Sequence, residues 1–401
     1  MGAVTVTTIP TLNPPRENPL VAPAIFDRLR DLEGVSKVVM PSGDEAWLVT
    51  RHDLVREVLT SPAMSSAFFH LALLAKDASV EDRIPGMFNR MDAPDHTRYR
   101  KVLQRAFTAP GVAKLRPVIE ALAQQALEEC ADAGPAVDFV HSFALPIPSL
   151  VICELLGVPY QDRGQFHAWS QVALDLTASP EAKLEAKTQM PTYIAELSRQ
   201  YRSEPGTGLI ADLARDHGDE FTDLEIGGLG FELLLAGHET TANMLSLCAL
   251  IAMTNDAARD LFTRDASDAE LDIAIRELLR YLSITHMSPL RRAEQDVTIG
   301  GVVIAAGDYV CCHVPAANRD PKVWSEADKL QLDRAPAPHL AFGYGAHLCI
   351  GQALARLELQ IALPMFFKRF PDARLAADLA NLEFRHEMFV YGLHALPVVL
   401  F

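Results

Sequence analysis

The stretch from Leu229 to Met253 is predominantly apolar, and it limits what the rest of the chain can be. A run of that length either spans a bilayer or forms a helix buried in a large core. Glu232, His238, Glu239 and Asn243 lie inside it and would be costly in lipid. The run therefore reads as a buried helix of a soluble protein. Thr222-Asp-Leu-Glu225 marks its start, because Thr and Glu at that spacing can cap each other's backbone N–H groups. About 32 residues at ~1.5 Å rise make a helix roughly 48 Å long. Only a large, α-rich fold has room for it.

The rest of the chain agrees with that reading. Its 401 residues would allow two or three domains, yet no linker or repeat interrupts residues 20–401. One domain over 21–401, preceded by a polar segment at 1–20, is the expected organisation. Helical spacing dominates from about 51 to 285, as in Val118–Cys130, Tyr193–Tyr201 and Asp268–Leu282. A helix at Ile25–Leu32, a hairpin at Lys37–Met40 and Ala46–Thr50, strands at 289–312, a helix at 351–369 and a strand pair at 385–400 complete the pattern. The fold class is mainly α with small β-sheets set to one side. Residues 61–93 read as an irregular segment suited to a binding wall.

With 36 basic against 52 acidic residues the net charge is −16, which excludes a nucleic-acid binder driven by bulk charge. The six cysteines show no CxxC spacing, and the polar, Pro-rich N-terminus has neither a basic nor an apolar leader region. Reduced thiols, a cytoplasmic location, no membrane and a monomer are expected.

The most specific feature is Phe342-Gly-Tyr-Gly-Ala-His-Leu-Cys349-Ile-Gly351, followed by the helix Gln352-Ala-Leu-Ala-Arg356. A Cys set just before a helix has its thiolate favoured by the helix N-terminus. Glycines at 343, 345 and 351 allow tight turns and close approach to a flat partner. Such a loop suits one axial thiolate ligand to a haem iron.

These residues resemble the cytochrome P450 family, whose haem-binding signature matches Phe342, Gly343, Gly345, His347, Cys349 and Gly351 at every fixed position. Glu277-Leu-Leu-Arg280 is similar to the ExxR element of that family. Ala236-Gly-His-Glu-Thr240-Thr241 resembles its oxygen-activation stretch, and Ala317-Asn-Arg-Asp-Pro321 the segment before its meander. Leu330 departs from the pattern, since a Phe usually stands there before the Arg (Arg334 in this chain).

The resemblance implies haem b with Cys349 as the iron ligand, flanked by Phe342 and Gly343. It implies propionate partners at His96, Arg100, Arg291 (Arg292 as the fallback) and His347. Glu277 and Arg280, one helical turn apart, become a buried lock joined by Arg319 or Arg334. Thr240 and Glu239 become the proton-delivery pair of oxygen activation, on a local opening of the long helix, of π-bulge type. Pocket walls are expected from 61–93, from 160–190, from Phe231, Leu235 and Ala236, and from Thr285–Ser288 with His286 and Met287. Met388–Val390, with Phe389, would complete them. The implied activity is a haem-thiolate monooxygenase. It hydroxylates or epoxidises a hydrophobic secondary-metabolite intermediate, with electrons from a ferredoxin and an NAD(P)H-dependent ferredoxin reductase. The alternative is oxidative C–C or C–O coupling, desaturation or dehydration in natural-product biosynthesis. A non-enzymatic haem carrier would leave Glu239 and Thr240 unexplained. Arg98, Lys101 and Arg105, three and four apart, are expected to share a basic face that docks the ferredoxin.

Overall fold

The computed structural model describes residues 9–68, 73, 84–174, 179–386 and 388–401, which are mainly α with three small sheets among them. The principal helices are α1 (Ala24–Leu32), α2 (His52–Thr60), α3 (Asp95–Leu103), α4 (Arg116–Ala133), α5 (Pro146–Leu156) and α6 (Arg163–Leu174). They continue as α7 (Pro180–Tyr201), α8 (Gly208–Asp216), α9 (Asp223–Thr254), α10 (Asp256–Thr263), α11 (Asp268–Leu282) and α12 (Gln352–Arg369). The strands are β1 (Val35–Val39), β2 (Glu45–Val49), β3 (Met64–Ser65), β4 (Ala136–Asp138) and β5 (Leu290–Ala293). After them come β6 (Val297–Ile299), β7 (Val302–Ile304), β8 (Tyr309–Cys312), β9 (Arg374–Leu375) and β10 (Pro397–Val399). The expected binding-wall segments fall partly on 69–72, 74–83 and 175–178, which lie outside the described residues.

The chain divides into two compact units. The first, residues 1–81, 267–349 and 383–394, holds a five-stranded sheet of order β1-β2-β8-β5-β3. Strand alternation gives it two apolar faces. Val49, Val310 and Cys312 pack on one side with Val55 and Val58 of α2. Leu48, Cys311 and Leu290 pack on the other with Phe26 and Leu29 of α1.

The second unit, residues 82–266, 350–382 and 395–401, is built on α9. The Thr222 hydroxyl accepts from the Glu225 N–H at 3.2 Å, and the Glu225 carboxylate accepts from the Thr222 N–H at 2.8 Å. These bonds satisfy donors that a helix start otherwise leaves open. Ile226–Leu234 and Thr241–Ala252 are then buried on every side. Glycines permit that enclosure: a Cβ on Gly227 would fall 2.4 Å from the Pro191 carbonyl of α7, and one on Gly228 only 1.7 Å from that of Pro85. α12 packs against α4, α9 and α10, with Phe366 wedged edge-on to Phe139 at 4.7 Å.

The expected strand pair at 385–400 takes another form. Phe384 and Leu393 make an isolated bridge, while β10 pairs with β4 and β9.

Candidate functional site

In the first unit the Cys loop hangs from a buried ionic network. Glu277 and Arg280 project from one face of α11 and meet twice, at 2.7 Å each. Arg334 adds its Nε to the same Glu277 oxygen at 3.0 Å, and the Gln331 N–H joins it at 3.0 Å. Remaining Arg280 donors go to the carbonyls of Asn318, Ala327 and Lys329. Arg334 is thus the third member, whereas Arg319 turns to the Tyr281 carbonyl. Low dielectric makes such a network strong when complete and costly when broken.

Asn318 passes the network to the loop. Its carbonyl accepts from Arg280, its Nδ2 donates to Ser283, and its Oδ1 accepts from the Leu340 N–H at 2.7 Å. Leu340 opens the turn that follows. The Gly343 N–H reaches the Leu340 carbonyl, and the Cys349 N–H closes on the Phe342 carbonyl at 2.9 Å. Gly343 and Gly345 both have φ +74°, a conformation that Cβ-bearing residues rarely adopt. A side chain at 345 would also strike the Leu59 carbonyl at 2.7 Å, so this glycine lets the loop sit against α2. Nothing in the local sequence marked Asn318; only its place in the Ala317–Pro321 motif singled it out.

Cys349 differs from the other cysteines. Cys130, Cys153, Cys248, Cys311 and Cys312 are buried, and burial pushes each thiol up, to about 11 for Cys130 and about 12 for Cys153 and Cys312. Cys349 is only half-buried, as are its apolar neighbours Phe342, Leu348 and Ile350 and the imidazole-bearing His347. Arg291 of β5 is buried and donates to the Leu290 carbonyl, while Arg292 pairs with Glu294 nearer the surface. Of these two, Arg291 is the inward cation.

In the second unit the middle of α9 breaks the pattern of burial. Ala236 is exposed, and Leu235, Gly237 and Thr240 are half-exposed, between two fully buried stretches. Glu239 is buried beside them. The expected π-type opening is absent: α9 runs as one continuous α-helix, and the Thr240 hydroxyl donates to the Ala236 carbonyl at 2.7 Å. This i−4 bond keeps the hydroxyl in the helix groove without breaking the helix.

α3 carries His96, which is buried against Phe88 at 6.0 Å between ring centres, and half-buried Arg100 one turn later. The expected basic face on this helix does not form. Arg98 is spent on Glu225 at 2.8 Å and lies over the Phe221 ring at 4.3 Å. α3 ends at Leu103, so Arg105 has left the helix, and Lys101 and Arg105 are exposed on different elements.

Of the expected wall residues, Leu235 and Ala236 face open space, whereas Phe231 is fully buried. Met287 packs into the sheet core with Phe26 and Leu290, and Phe389 is exposed. His286 is buried with both ring nitrogens engaged, one by the Met388 carbonyl and one by Arg16.

A family model described as cytochrome P450 matches residues 270–373, the part that holds both the ionic network and the Cys loop. Over 94% of its length the chain is 40% identical to cytochrome P450-SU2 of Streptomyces griseolus, covering 93% of that protein. It is 36% identical to the vitamin D3 dihydroxylase of the same organism, covering 98% of this chain and 99% of the other. Among solved structures, Streptomyces peucetius CYP105P2 in complex with a biphenyl compound superposes with a TM-score of 0.90 at 36% identity, over 98% of this chain and 100% of that one. CYP105P1 in complex with filipin I does so with the same score and identity, over 98% and 99%. At that identity over nearly its whole length, the chain belongs to the cytochrome P450 family, monooxygenases that hold haem b through a cysteine thiolate.

Proposed function

We propose that the chain inserts one oxygen atom of O₂ into a C–H or C=C bond of a hydrophobic small molecule, an intermediate of secondary metabolism. The electrons come from an external ferredoxin and its NAD(P)H-dependent reductase. The observation that carries this reading is the open patch of Leu235, Ala236, Gly237 and Thr240 on an otherwise enclosed helix, with buried Glu239 adjoining it. An acid beside an alcohol is what proton delivery during oxygen activation needs. Relatives named for vitamin D3 hydroxylation and a solved relative holding filipin I support a large apolar substrate. Among the described residues no helix is long and apolar enough to cross a membrane.

The residues around Cys349 suit haem b. Half-exposed Phe342, Leu348 and Ile350 offer an apolar surface, and a Cβ at Gly343 would meet nothing nearer than 3.8 Å. Bound through a thiolate, haem b supplies the activation of O₂. Cys349 Sγ is the ligand, flanked by Phe342 and Gly343. Arg291, His96, Arg100 and His347 neutralise or hydrogen-bond the propionates. Glu239 holds the proton and Thr240 Oγ1 passes it on, exchanging its bond to the Ala236 carbonyl as it does so. Leu235 and Ala236 meet the substrate.

Cys349→Ser tests the ligand. The reduced, CO-treated protein should lose the red-shifted absorbance given by thiolate ligation while retaining its fold, and an unchanged spectrum overturns the assignment. NAD(P)H-linked O₂ uptake with ferredoxin and reductase, read together with product formation, tests the reaction.

A further inference from the structure

Arg16, a half-buried cation of the first unit, has no carboxylate partner among the described residues. Arg16 lies on the segment that precedes α1, which is pinned to β1 by the Leu12 N–H to the Val39 carbonyl and the Val39 N–H to the Pro10 carbonyl, both 2.9 Å. Asn13 Nδ2 donates to the His386 carbonyl and carries the segment over the turn before β10. Arg16 then places its guanidinium 3.6 Å above the Tyr391 ring and 3.3 Å from His286 Nδ1. No carboxylate among the described residues pairs with it.

The surroundings are basic or neutral. His286 Nε2 meets the Met388 carbonyl at 2.6 Å, so Nε2 donates and Nδ1 accepts from Arg16. Burial first, and then Arg16, pushes this imidazole down to about 3, leaving it neutral. Tyr391 is buried, with its ring stacked on Phe384 at 5.8 Å, and its hydroxyl has no partner. Burial pushes that phenol up to about 12, so it is a donor throughout the physiological range. Arg319, whose charge also acts on Arg16, is fully buried and leaves Nε and Nη1 without acceptors. The nearby carboxylate of Asp27 is engaged by Arg30 at 2.7 Å.

A half-buried guanidinium held by an aromatic face keeps most of its five donors for something else. A planar anion is their natural complement, since a guanidinium fork and a carboxylate make two parallel charged hydrogen bonds. Cation–π contact with Tyr391 would hold Arg16 in place before the anion arrives. His286 belongs to a segment expected to wall the substrate pocket, Thr285–Ser288, and Tyr391 directly follows another, Met388–Val390.

We propose that Arg16, positioned by His286 and Tyr391, forms a subsite for the carboxylate of a hydrophobic carboxylic-acid substrate, with the Tyr391 hydroxyl as a further donor. This deepens the monooxygenase reading and rests on it for the fate of the bound acid. The subsite would fix one end of the molecule and so select which carbon is presented for oxidation.

Binding of dodecanoic acid and of dodecanamide to the haem-loaded protein, by equilibrium dialysis at pH 7.5, tests the subsite. The acid should bind about 10-fold or more tightly than the amide. Arg16→Gln should abolish that preference. Arg16→Lys should retain part of it, because the charge remains without the fork, and Tyr391→Phe should weaken it. Equal affinity for acid and amide, failure of both to bind, or a preference that survives Arg16→Gln overturns the proposal. The reduced-CO spectrum of Arg16→Gln should match the wild type, so a lost preference with an intact spectrum is read at the subsite. An abnormal spectrum in the wild type would instead fail the monooxygenase reading.

Discussion

The loop before Cys349 and the middle of α9 carry the two most chemical motifs of the chain, and opposite devices build them. The loop is held from many sides. A three-residue ionic network, one asparagine and two left-handed glycines each fix part of its backbone. The patch of Leu235, Ala236, Gly237 and Thr240 is instead the only exposed or half-exposed part of α9 between Ile226 and Ala252, with His238 and Glu239 buried within it. Loss of one partner should therefore collapse the loop, while changes at the patch should spare the fold and alter chemistry. A metal ligand needs a fixed position and a proton carrier needs freedom to move, so the difference suits the proposed roles.

The largest effect should come from Arg280→Ala. Its partner Glu277 is almost fully buried and would keep only Arg334 and one backbone N–H. Breaking a buried pair from one side costs about 3–5 kcal/mol. The variant should melt far below the wild type and retain little haem after purification. Arg280→Lys should not rescue it, because a single ammonium cannot reach Glu277 and three carbonyls together. A folded, haem-replete Arg280→Ala protein would break the contrast between the two regions.

Thr240→Ala should leave the melting temperature within about 2 °C of the wild type, because only one half-exposed side-chain bond is lost. Coupling of NAD(P)H consumption to product should fall by roughly 10-fold as hydrogen peroxide rises, the size expected of a positioned proton donor. Thr240→Ser should restore most of the coupling. If Thr240→Ala stays fully coupled, the proton path runs through another group.

Much of this was legible in the sequence for physical reasons. Thr222 and Glu225 cap a helix whose four residues of spacing are all local, and the two glycines mark turns that any chain would need them for. Glu277 and Arg280 face each other across one helical turn, so their pairing follows from spacing. What stayed hidden is non-local. β10 finds β4 across some 260 residues of chain, and three-residue strands carry too little pattern to announce a partner. Arg98 resembled a free surface charge until Glu225, 127 residues away, was brought to it. The continuity of α9 at Thr240 is not legible in the sequence, because a hydroxyl bonded to the i−4 carbonyl can either open a helix or ride along it, and the residue types do not distinguish the two.

Glu232, whose effect vanishes at the acid end of the pH range, sharpens the comparison by probing the enclosed part of α9 directly. This carboxyl is buried, less than one turn before the open patch begins at Leu235, and accepts the Asn89 N–H at 3.0 Å. Burial pushes it up to about 8, against the opposing pull of the Asn89 and Phe88 backbone and the Arg90 charge. The folded protein thus binds a proton that the unfolded chain, with an ordinary carboxyl near 4.5, has released. Stability from this group is complete below about 4.5 and is lost as pH rises through about 8. A single group can impose a slope of at most about 1.4 kcal/mol per pH unit across that window. Glu232→Gln keeps an oxygen for Asn89 and removes the titration. Melting curves of the two proteins from pH 5 to pH 8.5 should converge at the acid end and separate towards the alkaline end, with the variant the more stable there. Parallel curves would mean that the enclosed stretch admits enough water to hold a carboxylate, and the contrast between sealed helix and open patch would fail.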